Sequence, residues 1–599
     1  MINRPRSTTA IFVVASLASV FPGLTARASG DTWQTVAENT AYRKTSTYDE
    51  TIAYCRRLAG TSLWVSFSMF GTSPQGRGMP LLVISRDRAF TPSAARKTNK
   101  PVVLIQNGIH AGEIDGKEAS LALVRDIVVS KRLEHLARHA TVLVIPILNV
   151  DGHERTSPYN RINQNGPDEM GWRATAQGLN LNRDYMKADA PEMRALLGLF
   201  NSWKPDLYVD THVTDGADFQ YDVLYTIEST GYVAAPIAEY VDRVLQPMIR
   251  PAIERKGHIV ESYFNLRDPA DLAKGIERQV FPPRFSNGYG ALRGRPVVLV
   301  ETHMFKPFGV RVRATYDLLV EILSAVEARP GDLLAAVRSA DAEAIARGRV
   351  VDPTRPVPLR LELTDANRIV RFRGKDFTVQ QSEVSGTGWI RYGEAPQDVE
   401  IPLYDEVRVS SSVTAPLAYI IPPEWNDVIS RVEVHGLRTH RLARAITAEF
   451  ETYRLTEPVW QAAPYEGRHP VRFTVKTVTE TRTLPVGSVV VPLDQPGAML
   501  AVHLLEPGAP DALATWGLFD AIFEQKEYAE GYVLEKLARE MLSRDPELKR
   551  AFEERMASDA AFRQNPRARL NFFYERSPYV DSRIGAYPVV RVRSALPKN

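Results

Sequence analysis

Residues 140–148 are almost continuously apolar. A strand with one wet face alternates apolar and polar side chains, so an unbroken run this short predicts a strand covered on both faces. Such a strand needs layers above and below it, and the flanking sequence supplies them. Residues 80–85 and 101–106 are short apolar runs that end in polar residues, and residues 116–131 follow with Ala119, Leu123 and Ile127 at helical spacing. Residues 191–203 are helical in pattern and stop before Lys204-Pro205, because a residue ahead of proline avoids helical angles. Residues 207–211 and 297–300 are strands again, and 310–328 form a long closing helix. Strands separated by helices predict an α/β fold, a largely parallel or mixed sheet with helices on both faces.

The pattern changes after Arg329-Pro330-Gly331. A charged helical connector, 333–347, runs into a proline-rich linker at 352–358. From 359 to 505 short strands alternate with turn residues, as in 370–377 and 471–478, which predicts a separate β-rich domain of the sandwich kind. Residues 532–542 place Val533, Leu534, Leu537, Ala538, Met541 and Leu542 on one helical face. The expected division is a leader at 1–28, an α/β unit at 29–345, a β-rich accessory domain at 355–510 and a helical segment at 511–599.

Arg4 and Arg6 precede a mostly apolar stretch at 10–24, and Ala26-Arg27-Ala28 has the small-x-small form of a secretory cleavage site. The apolar stretch is too short to span a bilayer comfortably, so no stable membrane anchor is expected after cleavage. Cleavage after Ala28 removes three arginines and no acid, taking the formal net charge from +3 to 3 − 3 = 0. A neutral chain without a basic run has nothing to hold phosphate backbones, which argues against nucleic-acid binding. Cys55 is the only cysteine, so an intramolecular disulfide and a cysteine-rich zinc site are both excluded. An exported chain of this size without disulfides suits a bacterial periplasm or exterior.

Chemistry concentrates at Gln106-Asn-Gly-Ile-His110-Ala-Gly-Glu113, between a strand and a helix. A histidine and a glutamate three positions apart on a tight turn can face one metal ion, with Gly112 letting the backbone bend between them. Ligands at the end of a strand in an α/β sheet also sit where such folds place their sites. His212 ends the strand that begins at Leu207 and is the expected third ligand; His153, His258 and His303 are its rivals. Val297-Val-Leu-Val-Glu301 is an apolar strand ending in a glutamate, placed to move a proton beside a metal.

Taken in order, His110-x-x-Glu113, Asn180-Leu-Asn182-Arg183-Asp184, Asp210-Thr-His212 and Leu299-Val-Glu301 resemble the carboxypeptidase A-like zinc metallopeptidases across residues 48–328. The resemblance implies a mixed eight-stranded sheet flanked by helices. It implies one Zn2+ held by His110, Glu113 and His212, and Glu301 as the base that activates water. Asn182 and Arg183 would grip the terminal carboxylate of a peptide substrate; a guanidinium presents paired donors that fit a carboxylate bidentately. The alternative for Arg183 is an internal pair with Asp184. Arg173 is the candidate for the arginine that stabilises the oxyanion, and Tyr289 for the tyrosine that covers bound substrate. Asp151 and Asp210 could each orient a ligand histidine or cap a turn. The implied activity is an exported zinc carboxypeptidase. Two other readings stand beside it: a zinc amidohydrolase acting on cell-wall peptides or N-acyl amino acids, and a secreted binding protein with an inactive peptidase-like half.

Overall fold

The computed structural model describes residues 33–594, so the leader expected at 1–28 lies outside the described residues. Ten strands organise the first half. They are β1 (Val65–Thr72), β2 (Gly78–Ile84), β3 (Val102–Gln106), β4 (Thr141–Ile145), β5 (Leu207–Thr214), β6 (Val223–Ile227), β7 (Val260–Glu261), β8 (Phe264–Leu266), β9 (Ile276–Arg278) and β10 (Val297–His303). Eight of them form one sheet in the order β1-β2-β4-β3-β5-β10-β6-β7. The neighbours β4/β3, β3/β5 and β5/β10 are parallel, whereas β1/β2, β2/β4 and β10/β6 are antiparallel. This is the mixed eight-stranded sheet expected.

The apolar run that predicted a doubly covered strand is β4, buried along its whole length. In β3, Val103 and Ile105 join a cluster on one face while Val102 and Leu104 join a cluster on the other. Helices α1 (Asp115–Val128) and α2 (Pro191–Trp203) contribute to opposite clusters, as do α3 (Ser286–Leu292) and α4 (Phe308–Ala328). Each apolar side chain so buried contributes on the order of 1.5–3 kcal/mol, which holds the sheet between its layers. Helix α2 ends as the sequence requires, with Lys204 in a left-handed turn ahead of Pro205. At the foot of the site, Asp115 opens α1 and pairs with the buried Arg311 of α4 at 2.9 Å. It also accepts from Thr302 Oγ1 of β10 at 2.6 Å. One carboxylate thereby fixes α1, β10 and α4 together.

The second half does not form the sandwich expected. Its strands divide among sheets of two, four and six. The long hairpin Arg368–Gln381/Gly388–Tyr404 continues through β9 and β8 of the first half. In the six-stranded sheet, Ala418–Ile421 pairs with Val489–Pro492 on one side and with Val590–Val592, near the end of the chain, on the other. One face of this sheet packs on helix Ala498–Leu505 in a cluster that also contains Leu104, Tyr208 and Tyr289. The core therefore runs through both halves. Helices Gly531–Arg544, Pro546–Ser558, Ala560–Gln564 and Pro566–Tyr574 follow, as the sequence predicts for this segment. Among the described residues no helix is long and apolar enough to cross a membrane.

Candidate active site

Three parallel neighbours, β3, β5 and β10, end side by side. The loop after β3 carries His110 and Glu113, β5 carries His212, and β10 carries Glu301 in register with His212. The turn is tight for a steric reason rather than for flexibility: a Cβ on Gly112 would lie 2.7 Å from Arg161 Cγ and from the Gly171 carbonyl oxygen.

Nδ1 of His212 lies 3.2 Å from Nδ1 of His110 and 3.0 Å from Glu113 Oε2. Nδ1 of His110 lies 3.1 Å from Glu113 Oε1. One ligand atom from each of the three residues falls within 4.8 Å of the others, and all three side chains are buried. The far nitrogens of the rings are engaged. His212 Nε2 is 3.0 Å from Asp210 Oδ2, and His110 Nε2 is 3.1 Å from Asn180 Oδ1. Held in this way, each ring turns its Nδ1 lone pair toward the common point. Two nitrogens and a carboxylate converging on one point are a donor set that fits zinc.

The electrostatics differ between the two rings. Burial pushes the His110 imidazole down to about 4. Burial also opposes charge on His212, but the Asp210 carboxylate overcomes it and holds that ring well above the usual histidine range. Glu113 is buried yet stays ionised, because His110 and Arg161 lower it. Arg161 Nη2 lies 2.7 Å from Glu113 Oε1, and Arg173 Nη1 lies 3.3 Å from the same oxygen. Burial pushes Glu301 up to about 8 against the pull of His212, and the Glu113 and Asp215 carboxylates add to the rise. A dication held beside it opposes that rise.

These groups open onto a cavity of about 210 Å³ that also contains Arg173, Asn182, Arg183 and Tyr263. Asn182 and Arg183 lie on a short 3-10 turn, Leu181–Arg183, capped by Asn180. The Asn182 side-chain oxygen is buried without a partner among the described residues. The Arg183 guanidinium lies 4.0 Å from the centre of the Phe285 ring and pairs with no carboxylate among the described residues. Its alternative partner, Asp184, is taken by Lys187 at 2.6 Å.

Several sequence expectations are corrected here. Tyr289 does not reach the cavity. It is buried in the core, with its hydroxyl 3.1 Å from His435 Nδ1, because the face of α3 that carries it packs against Tyr185 and Phe200. The tyrosine that does line the cavity is Tyr263, between β7 and β8. Asp151 orients no ligand; it accepts from Ser73 Oγ and the Gln75 amide and pairs with Arg77. The rival histidines are engaged elsewhere: His153 with Glu154 and Lys117, His258 with Asp222 and Asp317, and His303 with Asp218.

Sequence reasoning missed the roles of Asn180, Arg161, Tyr263 and a turn at 465–466. Asn180 had the best signal, since it stands two positions before Asn182 in a polar motif. The turn had none: Glu466 accepts from Asn180 Nδ2 at 3.4 Å, and Tyr465 hydrogen-bonds the Arg183 side chain, from a hairpin in the second half.

Residues 51–230 match the family model "Zinc carboxypeptidase", a span that includes His110, Glu113, Asn182, Arg183 and His212 but stops short of Glu301. The chain is 24% identical over 486 residues to carboxypeptidase 2 of Trichophyton rubrum, covering 79% of this chain and 84% of that one. It is 25% identical over 485 residues to a probable carboxypeptidase 2 of Arthroderma benhamiae, covering 78% and 85%. Among solved structures, carboxypeptidase A of Helicoverpa armigera is similar with a TM-score of 0.36 and 19% identity, covering 49% of this chain and 75% of that one.

Proposed function

Since the chain is a zinc metallopeptidase with a zinc carboxypeptidase domain over residues 51–230, we propose that it is an exported carboxypeptidase that removes the C-terminal residue of peptides. The observation that carries this reading is the presence, in one cavity, of the His110–Glu113–His212 cluster beside an arginine that pairs with no carboxylate and an asparagine whose side-chain oxygen has no partner among the described residues. A zinc ion held by His110, Glu113 and His212 would supply Lewis-acid polarisation of the scissile carbonyl and acidify a water to a pKa of about 7.

The protein's own groups account for the rest. Glu301, half-buried at the end of β10, takes a proton from the attacking water and returns it to the leaving amine. Arg173 stabilises negative charge on the carbonyl oxygen, charge that exists only in the transition state. Asn182 and Arg183 hold the terminal carboxylate, and Arg183 is fixed for this by its stack on Phe285. Tyr263, rather than Tyr289, covers the bound peptide. The leader-like N-terminus supports export to a periplasm or to the exterior. We assign the catalytic unit to residues 29–345, with apolar side chains of 355–510 and of the described part of 511–599 completing its core.

The test pairs one variant with one substrate comparison. Glu301→Gln should lose about 10²–10⁴-fold in kcat while retaining zinc, and an N-blocked peptide should be cleaved only when its C-terminal carboxylate is free. Unchanged turnover in the variant refutes the role of Glu301. Equal cleavage of the C-terminally amidated peptide refutes the carboxypeptidase reading. Cleavage restricted to muropeptides or N-acyl amino acids would support the amidohydrolase instead.

A further inference from the structure

Asn287, the second residue of α3, lines the same cavity and is 1% exposed. Among the described residues its Nδ2 has no hydrogen-bond partner, and its Oδ1 accepts only from Ser286 Oγ at 3.3 Å. Buried amide groups are almost always paired, so an unpaired one on a cavity wall marks a place where a ligand group completes the pairing. Two further amides share this cavity. Asn265 Nδ2 donates to Gln279 Oε1 at 2.5 Å, which fixes both side chains, and among the described residues Asn265 Oδ1 and Gln279 Nε2 have no other partner and can pair with a ligand. Phe281, Phe285 and Leu299 provide apolar surface beside them.

Resting on the carboxypeptidase reading above, we propose that this wall selects substrates whose C-terminal residue bears a carboxamide, glutamine or asparagine, and that Asn287 is the residue that recognises it. A carboxamide offers a carbonyl to Asn287 Nδ2 and an N–H to a neighbouring amide oxygen, while its methylenes lie on the aromatic surface. The other side-chain classes fare worse for separate reasons. An aliphatic side chain leaves the Asn287 amide buried and unpaired. A lysine or arginine finds no buried carboxylate to pair with, since Glu113 and Glu301 belong to the metal end of the cleft and Asp215 is exposed. A glutamate or aspartate brings a second negative charge into a cleft whose Arg183 is already committed to the terminal carboxylate.

The experiment uses the full-length zinc-loaded enzyme and a set of N-blocked dipeptides that differ only in the last residue: Gln, Asn, Leu, Phe, Lys and Glu. Gln and Asn should exceed the rest in kcat/KM by at least about tenfold. Asn287→Leu should erase that preference by lowering the Gln and Asn values while leaving Leu unchanged or faster. Asn287→Asp, which keeps the shape and adds a charge, should instead raise Lys relative to Gln. Zinc content and melting temperature establish that both variants are folded. A wild-type preference for Leu, Phe, Lys or Glu overturns the proposal, and so does a Gln-to-Leu ratio that stays within about twofold in Asn287→Leu. Failure to cleave any free-carboxylate peptide is a different result, and it overturns the carboxypeptidase reading itself.

Discussion

Replacing Asp210 by asparagine isolates the carboxylate that orients His212. Asp210 is fully buried, with Oδ2 3.0 Å from His212 Nε2 and Oδ1 accepting from Gln106 Nε2 at 2.7 Å. An asparagine fills the same space but has one acceptor where two are used. If its oxygen faces His212, its amide nitrogen faces the Gln106 amide, donor against donor. Gln106 cannot simply turn over, because its Oε1 accepts from Tyr208 Oη at 2.6 Å. The variant therefore leaves one buried donor unpaired, at a cost of about 1–3 kcal/mol in stability. It also removes the charge that raises the basicity of His212, and such changes behind a ligand weaken metal binding about 10–100-fold, equivalent to about 1.4–2.7 kcal/mol. Competition with a chromogenic chelator measures the zinc affinity, and urea denaturation of the metal-free protein measures the stability. Asn180→Asp is the converse variant, placing a carboxylate behind His110 where an amide now stands, and should tighten zinc binding. Zinc affinity within about twofold of wild type in Asp210→Asn would refute the assignment of Asp210 as the residue that orients His212.

Arg183→Lys keeps the charge but loses the bidentate fork, so kcat/KM for free-carboxylate peptides should fall about 10–100-fold, chiefly through KM; steady-state kinetics reads this directly. Burial pushes His435 down to about 3 and His503 and His153 down to about 4. The unfolded chain protonates these histidines near pH 6.5 and the folded protein does not. The stability they confer is thus fully present above pH 6.5 and lost as the pH falls toward 4, by up to about 1.4 kcal/mol per pH unit for each; urea midpoints at pH 7, 6 and 5 test this, and a flat profile contradicts it. Ending the chain after Thr354 removes Tyr419, Val489 and Leu504 from the cluster that includes Leu104 and Tyr208, so the fragment should lack near-ultraviolet circular dichroism and fail to retain zinc.

Local pattern revealed most of the first half because the sheet is built from local signals. The doubly covered strand at 141–145, the helix at 191–203 with its stop before Pro205, and the strand ends bearing His212 and Glu301 each follow from the side chains within a few positions. Tyr289 misled for a definite reason. Its flexible-looking Asn-Gly-Tyr-Gly context is helical, and periodicity within a helix of 7 residues does not say which face meets the core and which meets the cleft. Tyr263, Arg161 and Asn287 were invisible because their roles depend on which loop lies over which strand end. The sandwich failed because strand patterning shows that a segment is extended without naming its partner: residues 388–404 pair with β9, more than 110 positions earlier in the chain.

The second half is accordingly part of the active site's construction rather than an appended module. Arg468 pairs with Asp189 at 2.7 Å, six residues past Arg183, and Arg431 bonds the same carboxylate at 2.9 Å. Asp511 pairs with Arg284 at 3.1 Å and accepts from its backbone amide at 3.0 Å, fixing the segment that carries Phe285 beneath the Arg183 guanidinium. Tyr465 and Glu466 then touch Arg183 and Asn180 themselves. A guanidinium that must meet a carboxylate squarely gains from being held by its neighbours before substrate arrives, because ordering it during binding would subtract from affinity. In this chain the restraints on that guanidinium come from both halves of the sequence, so the proposed grip on a peptide's terminus and the folding of residues 355–594 are one physical problem.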